Sequence, residues 1–575
     1  MIAALMTVTL SRNKTVDVER SNVTTRYLGE GAIEVAKKQL QTAVANWDPV
    51  PETGTVTING ENVTYTIVPT GVPTGLDAVS TDSAGIQTLI TGYEIRAVAQ
   101  VNNSSQVLHR VLNTESTPIF QFAVFYTDDL EINPGPSMTL GGRVHSNGDM
   151  YLGCGGTLTV DTNYLRAVGT MHRSRKDNPS SSSGTVKIRE WVSNPYNASE
   201  PESYVKMLSK SQLSGEGVTS VGGYDSDFTA GLDLDGDGSF TGTGEWLPWG
   251  PGALDFWNEP DGYSDGYGNT VQDQAHNVGE AVSPHIGSIA MYEEAAAGSY
   301  KWDAGTDSYA YVGAGAGTHD PGFFHGEADL SILTYADGTW DAFDGTGTSV
   351  KSLLGATIVQ SSLYDARQSG GTGDNTAVTI LDIDVLNSSG FFPTNGLVYM
   401  AHYGMGQGTD AKGVLITNGS ELKGPLTVVS EGSLYIQGDF NTVDKKGASV
   451  IGDAVNLLSN SWDGTKTAGN LPSASETTFN AAIVTGNHDT SVGHYNGGLE
   501  NLPRFHEKWS GVDCNINGSF VNTWTSEYAT GEWRYGSDRY TAPGRKWSYD
   551  TSFNTVANLP PYTPMAVSAR DVVSW

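Results

Sequence analysis

The chain has 575 residues, of which 70 are glycine and only 17% are charged, and its 64 acidic side chains face 32 basic ones for a formal charge of −32. That carboxylate excess repels phosphate backbones and anionic lipid headgroups and excludes nucleic acid as a partner. With two cysteines in all, Cys154 and Cys514, a disulfide-dense scaffold and a four-ligand structural zinc cluster are excluded as well, while a single Cys154–Cys514 bridge stays open.

Recurrent Thr, Ser, Asn, Tyr and Val with abundant Gly predict a mainly β fold, and the length suits two to four domains. Residues 1–10 (MIAALMTVTL) are apolar over about half the length of a bilayer span, with no basic residue before them. From residue 11 the pattern is amphipathic. Val16, Val23, Tyr27, Ile33, Ala36, Leu40, Val44 and Trp47 recur at spacings near three or four, and the first proline is Pro49, which predicts one helix over residues 2–46. Residues 54–132 then read as successive strands, with turns at Asn59-Gly60-Glu61-Asn62 and at Asn102-Asn103-Ser104-Ser105.

From Ser137 the texture changes to strands of four or five residues with Gly or Asn at the corners, first in 142–160 and again in 396–400, 413–419, 426–438, 449–458, 481–486 and 514–521. Such units predict a right-handed parallel β-solenoid, because short strands stack rung on rung and the corners need residues that tolerate positive φ. A β-sandwich with many turns is the competing fold. The stretch 171–375 interrupts the pattern and reads as a large insertion. The domain expectation is therefore 1–50 helix, 51–136 antiparallel head, 137–170 first rungs, 171–375 insertion and 376–575 C-terminal solenoid.

Within the insertion, Asp233, Asp235 and Asp237 alternate ahead of Gly238, Ser239 and Thr241, with Glu245 beyond. Alternate aspartates let several carboxylates converge on one hard cation, so this is a candidate calcium loop with a structural ion. Its glutamate falls one place late for an EF-hand. Trp246, Trp249, Trp257, Tyr263 and Tyr267 follow directly and are either a surface for a glycan or protein ligand or the insertion's own core. His319, Asp320, His325 and Glu327, and His488, Asp489 and His494, cluster without any established zinc spacing. No nucleotide loop or hydrolase elbow occurs, and Asp439, Asp453 and Asp489 are the candidate acids of a rival reading, a secreted polysaccharide lyase or glycoside hydrolase.

Two sets of residues carry a family resemblance. Residues 27–36 (YLGEGAIEVA) resemble a conserved helical stretch of the PilX-like pilus-assembly proteins, and segments 386–396, 434–442, 497–505 and 543–550 resemble the C-terminal domain of their large members. The resemblance implies a pilin-like helix and β-meander, a location at the cell surface on a pilus, other pilin subunits as partners, and residence in the inner membrane before assembly. It implies no reaction. The prepilin cleavage site and the early Glu of pilins are not seen in this sequence, so its start reads as truncated. The competing expectation is an ordinary amphipathic helix packed on its own domain.

Overall fold

The structure, a computed structural model, describes residues 2–46, 49–71, 78–82, 84–102, 104–162, 164–172, 174–177, 184–189, 204–207, 271–274, 278–281, 289–291, 298–303, 308–313, 322–335, 338–355, 358–366, 374–402, 412–467, 469–488, 490–491, 495–529, 533, 535–536 and 539–574. The chain divides into two units. The first comprises Met1–Pro118, Ala281–His285 and Pro564–Trp575; the second comprises Ile119–Glu280 and Ile286–Thr563.

The first unit is a helix on an antiparallel sheet. Helix α1 (Ile2–Asn46) runs without interruption until the approach to Pro49, whose ring and missing N–H disfavour further helix. Strands β1 (Thr53–Ile58), β2 (Glu61–Gly71), β3 (Val79–Thr81), β4 (Gln87–Val101) and β5 (Ser104–Pro118) follow. Asn59 and Gly60, with φ of 52° and 84°, form the two-residue turn between β1 and β2. Val63, Tyr65 and Ile67 on β2 and Tyr93, Ile95, Ala97 and Ala99 on β4 are buried at a period of two. They form a core with Leu28, Ala32, Ile33, Ala36 and Leu40 of the helix. The sheet order is β1-β2-β4-β5 followed by the C-terminal strand Met565–Ser574, with β3 on β4. That last strand was expected in a C-terminal solenoid; instead its antiparallel register with β5, from Met565 opposite Pro118, puts it in the first unit. The head also ends earlier than expected, at Pro118 rather than 136.

The second unit is built mainly on parallel pairs. Strands β6 (Val124–Tyr126), β7 (Leu130–Ile132), β8 (Met138–Gly141), β9 (Val144–Ser146), β10 (Met150–Leu152), β11 (Thr157–Asp161), β12 (Leu165–Ala167), β13 (Met171–His172) and β14 (Thr185–Arg189) form three ladders: β6-β9-β12, β7-β10-β13 and β8-β11-β14. One register column runs through Leu330, Val398, Val428, Val450, Ile483, Phe520, Val124, Val144, Leu165 and Val271, every member buried. The central strands are covered on both faces, as the eleven buried residues of strand Ala448–Leu458 show, whereas outlying parallel strands such as Thr157–Asp161 bury alternate residues only. Leu330–Thr334 and Asp374–Asp382 belong to these ladders, so part of the stretch expected to be an insertion supplies strands. Corners use positive φ where expected, at Asn418 (54°) and Gly438 (80°).

Candidate functional site

The two halves of helix α1 have different surroundings. At about 100° per residue, Leu28, Ala32, Ala36 and Ala43 share the side facing the sheet, and all are buried. Gly29 and Gly31 let strands approach closely, since a Cβ on Gly29 would stand 2.5 Å from Leu108 Cδ1 and one on Gly31 2.9 Å from Ile58 Cδ1. Polar contacts fasten the same half: Lys37 Nζ lies 2.9 Å from Asp571 on the C-terminal strand, and Arg110 on β5 donates to both Glu34 and Asp571. Among the described residues, the hydrogen bonds to the sheet nearest the helix start are at Ser21 and Asn22. There Ser104 Oγ donates to Asn22 Oδ1 at 2.6 Å, and Gln106 Nε2 to the Asn22 carbonyl at 3.3 Å.

Residues 11–20 are exposed throughout. Among its described members, the stripe expected from sequence is therefore two stripes; Trp47 lies outside the described residues. Ile33, Ala36 and Leu40 are core, while Val16, Val23 and Tyr27, 51%, 55% and 69% exposed, lie on the opposite side of the helix. Met6 and Val18 are exposed as well. Among the described residues, no helix is long and apolar enough to cross a membrane.

The other sequence-derived candidates have varied placements. The calcium-loop residues Asp233, Asp235, Asp237, Ser239, Thr241 and Glu245 lie outside the described residues, as do the aromatics Trp246, Trp249, Trp257, Tyr263 and Tyr267. Cys154 and Cys514 are buried free thiols, so the bridge left open by the sequence is not formed. Cys154 Sγ instead donates to the carbonyls of Thr185 and Gly156 at 3.1 and 3.2 Å. His319, Asp320, Asp489 and His494 are outside the described residues too. His325 Nδ1 lies 2.9 Å from the Met291 carbonyl, and burial lowers the pKa of its ring. Among the described residues, no three His, Cys, Asp or Glu side chains gather as a metal site.

The second unit contains ionisable groups that periodicity did not reveal. Asp453 is 1% exposed, and its two oxygens accept from the backbone N–H groups of Glu527, Tyr528 and Ala529 at 2.5, 3.0 and 2.8 Å. Both Glu507 oxygens accept at 2.6 Å from the Ser459 N–H and hydroxyl. Tyr435 donates to Asp365 at 2.5 Å, and His506 lies 3.3 Å from the same carboxylate and 2.8 Å from Asn456 Oδ1. Glu500 accepts from the Tyr495 hydroxyl at 2.5 Å and the Asn133 N–H at 3.0 Å. Burial raises the carboxyls of Glu500 and Glu507 to about 7, despite those hydrogen bonds.

These groups share sealed surroundings. Asp365, Tyr435, Glu500, His506 and Glu507 are at most 2% exposed, so they tie loops to strands without offering a surface to a substrate. The sequence signal that could have found them is the interleaving of polar and aromatic residues in 500–509 (ENLPRFHEKW), a stretch too polar for a half-solvated strand. Asp439, another candidate acid, lies at a corner and accepts the Thr478 N–H at 2.8 Å.

No protein-family model matches the sequence, and no curated protein matches it. Among solved structures, the competence-associated pilin ComZ from Thermus thermophilus aligns over 96% of this chain and 98% of its own, with 9% identity and a TM-score of 0.24. At that score the likeness carries no argument, and the exposed half of α1 is the feature on which a functional reading rests.

Proposed function

We propose that this chain is a pilus-associated, non-enzymatic subunit that joins other pilin-type helices through the first half of α1 and contributes a structural or adhesive β body at the cell surface. The observation that carries the reading is the division of one unbroken helix: one face of residues 25–43 engages its own sheet, whereas Val16, Val23 and Tyr27 lie on the other face and are more than half exposed. Fully burying a large apolar side chain is worth about 1.5–3 kcal/mol, so a neighbouring helix covering this stripe would gain appreciably. The resemblance of residues 27–36 to PilX-like proteins supports pilin-type subunits as that neighbour. It also supports residence in the inner membrane before assembly and an extracellular location after it.

On this reading the parallel ladders are rungs of a right-handed β-solenoid, a rigid body suited to repeated lateral contacts. The aspartates at 233, 235 and 237 hold calcium as a structural ion, and melting the protein with and without EGTA tests this: a midpoint unchanged by the chelator removes the ion from the account. The rival hydrolase gains no support from Asp453, whose oxygens are taken up by backbone N–H groups.

The decisive experiment introduces Val16→Asp and Val23→Asp together into the full chain and measures its recovery in sheared filaments. Loss from the filament fraction with an unchanged melting midpoint is expected, because neither side chain belongs to the core of its own unit. Equal recovery of variant and parent would overturn the assembly role.

A further inference from the structure

We propose that a polar recess at a corner of the second unit binds an uncharged saccharide, which would give the surface-contacting role proposed above a specific ligand. The recess has a volume of about 340 Å³, within the range of about 300–1,000 Å³ usual for small-molecule sites. Three successive parallel strands build it. Thr417 ends strand Lys412–Thr417, Gln437 ends strand Leu426–Gln437, and Asn460 follows strand Ala448–Leu458. At a strand spacing of about 4.8 Å, the three span roughly 10 Å.

The frame is fixed by hydrogen bonds that leave its ligand-facing groups unused. Asn418, in the left-handed region, donates from Nδ2 to Asp382 at 2.8 Å. The Asp439 N–H donates to Asn460 Oδ1 at 2.9 Å, Asp439 Oδ1 accepts the Thr478 N–H at 2.8 Å, and Asn460 Nδ2 donates to the Glu476 carbonyl at 3.2 Å. A Cβ on Gly438 would come within 2.9 Å of Asn460 Oδ1, so glycine keeps this corner open. No side-chain hydrogen bond to a described residue engages the Thr417 and Ser420 hydroxyls, the Gln437 amide or the second Asp439 oxygen. Together they offer hydroxyl and amide donors beside hydroxyl, amide and carboxylate acceptors, the two kinds of partner that sugar hydroxyls pair with.

The lining argues against other ligand classes. It has no Lys or Arg, and its single carboxylate opposes an anion. A hard cation such as calcium takes about six to eight oxygen ligands, usually with more than one carboxylate, whereas here one carboxylate is present and one of its oxygens is occupied.

The test uses the full chain, saturation-transfer NMR and calorimetry with glucose, galactose, mannose, N-acetylglucosamine and their disaccharides, with sialic acid and calcium chloride as charged comparators. Saturable binding of at least one neutral sugar is expected. Ser420→Trp, which fills the recess, should weaken it at least about tenfold, and Gln437→Ala, which removes one amide, by a smaller factor. Both variants should melt like the parent; Gln437→Ala alone decides the matter if the larger substitution perturbs the corner. Absence of saturable sugar binding, binding unaffected by the recess variants, or binding of calcium or sialic acid alone would overturn the proposal. Filament recovery of Ser420→Trp separates the two readings: normal recovery without sugar binding by the parent ends the recess proposal and leaves the assembly role standing, whereas sugar binding by a chain absent from filaments does the reverse.

Discussion

The two units handle their polar residues in opposite ways. In the first, the helix covers one face of an antiparallel sheet, and the ion pairs Lys37–Asp571 and Arg26–Glu30 retain partly exposed members. In the second, central strands such as Ala448–Leu458 are buried on both faces, and Asp453, Glu500 and Glu507 are buried with them, so these carboxylates must be satisfied inside the protein. The difference teaches that the first unit is held mainly by apolar contact, whereas the second also depends on internal polar networks whose protonation and completeness matter.

The largest expected effect is that of pH on the second unit. Glu500 and Glu507 have folded pKa values raised from 4.5 to about 7. The folded state therefore binds their protons more tightly. Their contribution to stability is fully present below about pH 4.5 and is lost as pH rises through 7. Between pH 5 and 8 each should cost about 2 kcal/mol, and Glu500→Gln with Glu507→Gln should flatten the dependence of the denaturation midpoint. A second-unit transition insensitive to pH over this window would show that the networks hold these carboxylates ionised without penalty.

Next in size, Asp453→Ala leaves three backbone N–H groups without their acceptor and should destabilise the second unit by about 3 kcal/mol. Chemical denaturation followed by hydrogen exchange on strand Ala448–Leu458 would locate the loss; an effect under about 0.5 kcal/mol would mean water replaces the carboxylate readily.

The smaller effects sharpen the contrast within the first unit. Leu40→Ala removes a fully buried side chain and should cost about 2–3 kcal/mol, whereas Val23→Ala should change stability by less than about 0.5 kcal/mol. Comparable losses at the two positions in the isolated full chain would mean that the first half of α1 packs on its own protein after all.

Sequence legibility followed the range of the interactions. Helix α1 could be read because a run free of proline and an apolar repeat are local properties, as could the Asn59-Gly60 hairpin, whose turn needs two residues at positive φ. The same repeat suggested that Tyr27 and Ile33 share a face. Which apolar residues of a long helix meet a sheet depends on where that sheet arrives, and Gly29 and Gly31 mark the place. Asp453 stood out in the sequence only as a candidate acid, and the burial of the carboxylates was illegible for a related reason: their partners, such as Ser459 for Glu507 and residues 527–529 for Asp453, are distant in the chain.

By itself the sequence determined the mainly β character, the extent of α1, the Gly and Asn corners and the acidic surface, all of which follow from composition or from neighbours a few residues apart. Only the tertiary structure decided that Phe520 stacks on Val124 and that Met565–Ser574 leaves the second unit to pair with β5. Those pairings join segments hundreds of residues apart. No local propensity encodes them; they form because matching columns of buried apolar side chains and complete backbone pairing offset the entropy of closing such long loops.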